Sequence, residues 1–123
     1  MRQEFADRWV FLLRDPDLKK STALLHREDG SVCALGAAEL VNGTVFVTTR
    51  EEATEPHQVP GGCTALSKRT QDDAGLFNSK GSRRDGEPIV IDGVSYLNIA
   101  IASDSGVPFA RIADYIEENY AAL

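Results

Sequence analysis

Cysteine, histidine and tryptophan are all scarce in this chain of 123 residues, and each shortage removes a class of function. The two cysteines, Cys33 and Cys63, are too few to staple a secreted scaffold, and neither falls in a Cys-x-x-Cys or Cys/His spacing. Both are expected as reduced thiols, and no metal or cofactor is expected, because structural zinc takes a full tetrahedral set of ligands. Only His26 and His57 could act as an imidazole base. No apolar run approaches the roughly 20 residues that cross a bilayer. The opening residues Met1–Arg8 lack the apolar core of a signal peptide, so a cytoplasmic location with no membrane contact is the expectation. Basic residues number 13 against 19 acidic ones, and the net charge of −6 excludes a protein that coats nucleic acid, since phosphate neutralisation needs a basic surface. Trp9, Tyr96 and Tyr120 are too dispersed for a single-strand stacking platform.

What remains is ordinary globular material, 42% hydrophobic and 26% charged, of a length that suits a single domain over residues 1–123. Phe109, Ile112, Ala113, Ile116 and Tyr120 recur at helical spacing after Ser105-Gly106 and Pro108, which predicts a docked C-terminal helix. Glu4 to Arg14 reads as a first helix with Phe5, Trp9, Leu12 and Leu13 on one side, closed by Asp15-Pro16. Thr22 to His26 reads as extended. Cys33 to Val41 reads as a short apolar helix stopped by Asn42-Gly43, and Thr44 to Thr49 as a β-branched strand. Glu51 to Pro60 reads as loop, Cys63 to Asp72 as partly helical, and Asn78 to Gly86 as a mobile basic loop. Asp92-Gly93 between Pro88–Ile91 and Val94–Leu97 predicts a tight hairpin, and Asn98 to Ala102 a short helix. The sum is an α+β fold of three or four helices around a small antiparallel sheet.

Three constellations could carry chemistry. Cys33 opens a helix, where unpaired N–H groups favour thiolate, and His26 could serve as its base with Asp104 as orienter, which would make a small cysteine hydrolase. The competing reading makes Cys33 a small core residue. Lys80, Arg83 and Arg84, with Lys68 and Arg69 upstream, concentrate positive charge in an acidic chain, and Ser79, Gly81 and Ser82 could offer backbone N–H groups to an anion. The spacing is not that of a phosphate-binding P-loop, and a solvated basic loop is the bland alternative. Ser103-Asp104-Ser105 could hold a ligand hydroxyl or amine, or simply cap and brace the final helix. Asp72-Asp73 lacks further ligands and reads as a solvated helix end.

Cys33-Ala34-Leu35-Gly36 after the Asp29-Gly30 turn, Trp9 with Leu13-Arg14 near the start, and Asp104-Ser105-Gly106 before Ile112-Ala113-Asp114 and Ile116-Glu117 together resemble a loose group of small bacteriophage and prophage proteins of unknown function. The chain departs from that group at Ser103, where an Asn is usual, and Thr44 to Asn98 has no counterpart in the pattern. The resemblance implies a setting in a bacterial host cell and action on host physiology or defence.

The sequence therefore leads to a binding protein whose partner is an anionic small molecule, such as a signalling nucleotide, or a host protein. Lys80, Arg83 and Arg84 are its candidate ligand contacts. The cysteine hydrolase and a protein-interaction module stand as alternatives.

Overall fold

Trp9 marks where the helical half of the molecule is joined. In the computed structural model, which describes residues 1–123, the first helix α1 (Gln3–Leu13) turns Phe5, Ala6, Trp9, Val10 and Leu13 inward at helical spacing. The C-terminal helix (Phe109–Asn119) buries Phe109, Ile112, Ala113, Tyr115 and Ile116 and packs against α1. Arg14 fastens the pair at the surface, donating to Asp114 at 2.8 Å and Glu117 at 2.7 Å. The indole N–H of Trp9, itself fully buried, donates to the carbonyl of Ala34 at 2.9 Å and ties α1 to α2 (Ala34–Val41).

Helix α2 is apolar nearly all round and lies in the centre of one continuous core. Gly36 is required there by space: a Cβ at this position would fall 1.8 Å from the carbonyl oxygen of Leu25. Cys33 occupies the N-cap but its side chain caps nothing; Ser103 supplies the missing acceptor, its Oγ taking the Ala34 N–H at 3.0 Å.

Two separate two-stranded ribbons flank this helical core. Strand β1 (Val45–Val47) pairs in parallel with β2 (Gln58–Pro60), in the register Val45 to Gln58 and Val47 to Pro60, after a 3₁₀ turn at Arg50–Glu52. Helix α3 (Lys68–Ala74) follows, capped by the Ser67 hydroxyl and ended by Gly75 in the left-handed region at φ 70°. Strands β3 (Ile89–Ile91) and β4 (Val94–Tyr96) form an antiparallel hairpin whose turn, Asp92-Gly93, has φ of 53° and 79°, the positive pair that a type I′ turn needs. Asn98 caps α4 (Ile99–Asp104) by accepting the Ile101 N–H at 2.9 Å, and the C-terminal helix is α5.

The α+β class is as expected, with five α-helices. The strands do not merge into one sheet, and one ribbon is parallel because the 3₁₀ turn returns Gln58–Pro60 beside β1 in the same direction. Thr22 to His26 forms no strand: His26 makes only an isolated bridge to Val32, and Ala23 sits at φ 71°. No helix is long and apolar enough to cross a membrane.

Candidate functional site

Cys33, His26 and Asp104 are each committed elsewhere. Cys33 is 3% exposed, and burial pushes its thiol up from the ordinary value, against a smaller opposing pull from the backbone N–H groups of Gly36 and Leu35. The His26 ring stacks on Phe46, with centroids 4.6 Å apart and planes 16° from parallel. The Asp104 carboxylate accepts the Ala23 N–H at 2.7 Å and braces that residue's left-handed backbone. No hydrogen bond joins sulfur, imidazole and carboxylate into a relay. Ser103 and Asp104 hold α2 and the Ala23 turn in place; Ser103 thus caps a helix, though not the final one.

The basic loop is also spoken for. Arg83 is clasped by Asp85, Nη2 to Oδ2 at 2.7 Å, and donates to the Tyr115 hydroxyl at 3.2 Å. The Asp85 carboxylate raises the Arg83 pKa through this bond, and the guanidinium in turn holds the Asp85 carboxyl down at about 2. Arg84 donates to the Gly75 carbonyl, and its backbone N–H to that of Ala122 at 2.8 Å. Lys80 reaches in another direction, to the Thr64 carbonyl at 3.2 Å. The Lys80 and Ser82 N–H groups, which could have lined an anion, both go to the Asn78 side chain at 3.1 Å. Gly81 packs so closely on Ile99 that a Cβ would approach it to 2.8 Å. This segment is a strap fastened across α4 and the chain's end, and its cations do not converge.

Positive charge does converge elsewhere. A cleft of about 910 Å³ opens between the β1–β2 ribbon with its 3₁₀ turn and the stretch leading into α3. Arg50, Lys68 and Arg69 stand on its walls with the hydroxyl residues Thr48, Thr64 and Ser67, and no carboxylate residue lines it. Arg50 enters no ion pair, while Lys68 pairs with the exposed Asp72 at 2.8 Å and Arg69 with Asp73 at 3.8 Å. Arg69 is half built in: Nη2 donates to the Asn42 carbonyl at 2.9 Å and to Thr44 Oγ1 at 3.2 Å, whereas its buried Nε has no partner.

Glu39 sets this wall from behind. Its carboxylate is fully buried in α2, and Oε1 accepts from the hydroxyls of Thr44 at 2.7 Å and Ser67 at 3.1 Å, and from that of Thr70. Oε2 takes the Ser67 backbone N–H at 2.7 Å. A buried carboxylate persists only where donors saturate it, and here those donors fix the start of α3 and so the positions of Lys68 and Arg69.

No family model, curated protein or solved structure matches this chain. The site must be read from its own chemistry.

The sequence groups Lys68 and Arg69 with Lys80, Arg83 and Arg84, whereas in the fold they line a cleft with Arg50. Arg50 is masked in sequence by Glu51-Glu52 and delivered to the cleft by the turn between two parallel strands. Cys63 lines the same cleft and is half-buried.

Proposed function

We propose that this chain is a binding protein for an anionic small ligand, seated in the cleft between the β1–β2 ribbon and the entry to α3. One observation carries the reading: in a chain of net charge −6, this cleft gathers Arg50, Lys68 and Arg69 with no carboxylate residue in its lining, Asp72 and Asp73 pairing with Lys68 and Arg69 from outside it. A concave, cation-lined wall concentrates field lines and attracts anions against the overall charge of the molecule. Each charge-assisted bond such a wall gives contributes about 1.5–3 kcal/mol. Lys80, Arg83 and Arg84 serve this reading only as the strap that holds the neighbouring segments.

A bacterial host cytoplasm and a phage or prophage origin rest on the terminal motifs, Cys33 to Gly36 and Asp104 to Glu117. In that setting the function is sequestration of a host anion. A second reading, recruitment of a host protein, is favoured by Phe11, which is 81% exposed beside a groove formed with Val10, Pro16 and Glu117.

Calorimetric titration with inorganic phosphate and pyrophosphate tests the primary reading. The wild-type protein should release heat with pyrophosphate, and the Arg50→Ala/Lys68→Ala variant should lose at least tenfold in affinity while remaining folded. Absence of binding to either anion overturns it.

A further inference from the structure

The cationic cleft does not end at its own rim. A second groove of about 730 Å³ adjoins it, lined by His26, Phe46, Glu28 and Asp29 among others, and the two share Thr48 and Gly62. These shared residues stand just past the carboxyl ends of β1 and β2. The junction is built by three chain segments laid side by side: Gly61 N–H donates to Val47 at 3.0 Å, His26 N–H to Gly61 at 3.2 Å, and Leu25 N–H to Cys63 at 2.9 Å. Neither the Thr48 nor the Gly62 backbone N–H has a protein acceptor. A Cβ at Gly62 would meet nothing within 4 Å, so a ligand can approach the backbone there.

The joined groove is chemically polarised. Arg50, Lys68 and Arg69 lie in one half; the stacked rings of His26 and Phe46 lie in the other, with the carboxylates of Glu28 and Asp29 and a single cation, Arg27, which donates to the Thr22 carbonyl at 2.9 Å. The Asp29 carboxylate is taken up by the Ser31 N–H and hydroxyl, at 2.9 Å and 2.6 Å, whereas Glu28 accepts nothing from the protein. An ionised carboxylate only accepts hydrogen bonds, so the Glu28 edge of this half suits N–H donors beside a flat ring. A ligand matching both halves is anionic at one end, and planar and amino-bearing at the other.

Resting on the anion-binding reading above, we propose that the ligand is a nucleoside phosphate with an amino-bearing base. Its phosphates occupy the Arg50–Lys68–Arg69 half, its base lies against His26 and Phe46 with the exocyclic amine toward Glu28, and the Thr48 and Gly62 N–H groups face the linking atoms.

Titrations with pyrophosphate, adenosine diphosphate and uridine diphosphate separate this inference from its parent. The expected order places adenosine diphosphate about tenfold tighter than pyrophosphate, the order of affinity that stacking one base supplies, with uridine diphosphate between them. Phe46→Leu, which keeps an apolar filler, should bring adenosine diphosphate down to the pyrophosphate level and leave pyrophosphate unchanged. Glu28→Gln should narrow the gap between the two nucleotides. On the wild-type protein, the His26 ring resonances should shift with adenosine diphosphate and stay in place with pyrophosphate. Pyrophosphate binding as tight as adenosine diphosphate, or His26 resonances indifferent to the nucleotide, overturns the base-binding inference and leaves the anion site standing. Failure of all three anions to bind removes both.

Discussion

Glu39 and Ser67 are joined twice, Oε2 accepting the serine N–H at 2.7 Å and Oε1 its hydroxyl at 3.1 Å, so that a buried polar side chain on one helix dictates where the next begins. Replacing Glu39 by alanine would leave the Thr44, Ser67 and Thr70 donors without their acceptor. A loss of about 3 kcal/mol in unfolding free energy is expected, read from urea denaturation. Glu39→Gln should cost less, because the amide keeps one acceptor oxygen. An unchanged urea midpoint for the alanine variant would refute the structural role assigned to this carboxylate.

Gly36 offers a test in which two physical arguments disagree in sign. Helix propensity alone makes Gly36→Ala stabilising by about 1 kcal/mol. The Cβ that would fall 1.8 Å from the Leu25 carbonyl oxygen predicts the reverse, a loss of about 2 kcal/mol or more through forced displacement. A lowered melting temperature supports the close approach of α2 to the Leu25 segment, and a raised one contradicts it.

Acid should weaken the fold in a defined window. Asp85 is held at about 2 by Arg83, below its ordinary 3.8, and Asp29 and Asp92 are lowered by Ser31 and Arg111 respectively. A carboxyl depressed in the folded state contributes stability that is complete above its unfolded pKa and disappears as pH falls through the folded one. The urea midpoint should therefore decline from about pH 4 toward pH 2. Asp85→Asn should flatten that slope; an unchanged slope excludes Asp85 as a contributor.

The two thiols should react at different rates. Cys33 is buried with its pKa raised, and Cys63 is half-buried in the cleft wall. Alkylation near neutral pH should modify Cys63 first and Cys33 only on unfolding, followed by mass spectrometry of the labelled peptides. Pyrophosphate at saturation should slow the Cys63 reaction. Rapid labelling of Cys33 in the folded protein would restore a nucleophilic role.

The parts of this fold that were legible in sequence are those whose pattern is local. Helices α1 and α5 announce themselves through residues such as Trp9, Leu13, Ile112 and Ile116 at helical spacing, and the β3–β4 hairpin through Asp92-Gly93. Strand β2 is silent, because Gln58-Val59-Pro60 has neither alternation nor β-branched enrichment, and only its partner β1 makes it a strand. The surroundings of the basic residues are hidden for a related reason. Lys80, Arg83 and Arg84 look free in sequence, but Thr64, Tyr115 and Gly75, which engage them, all lie outside the loop and no local pattern brings them to it. Arg50 and Arg69 become neighbours of one cleft only after β1 and β2 align. Cys33 stands at a helix start, as its local sequence indicates, yet the depth that silences it depends on the helices packed around it.

The buried indole of Trp9, bonded to Ala34, is the one tryptophan of the molecule and can be excited apart from its tyrosines, and it belongs to the helical half alone. Its emission will stay blue while α1 and α2 remain docked, whatever happens at the parallel ribbon. Comparing that colour with the labelling rate of Cys63 during a denaturant ramp will reveal whether the two halves come apart together or in sequence.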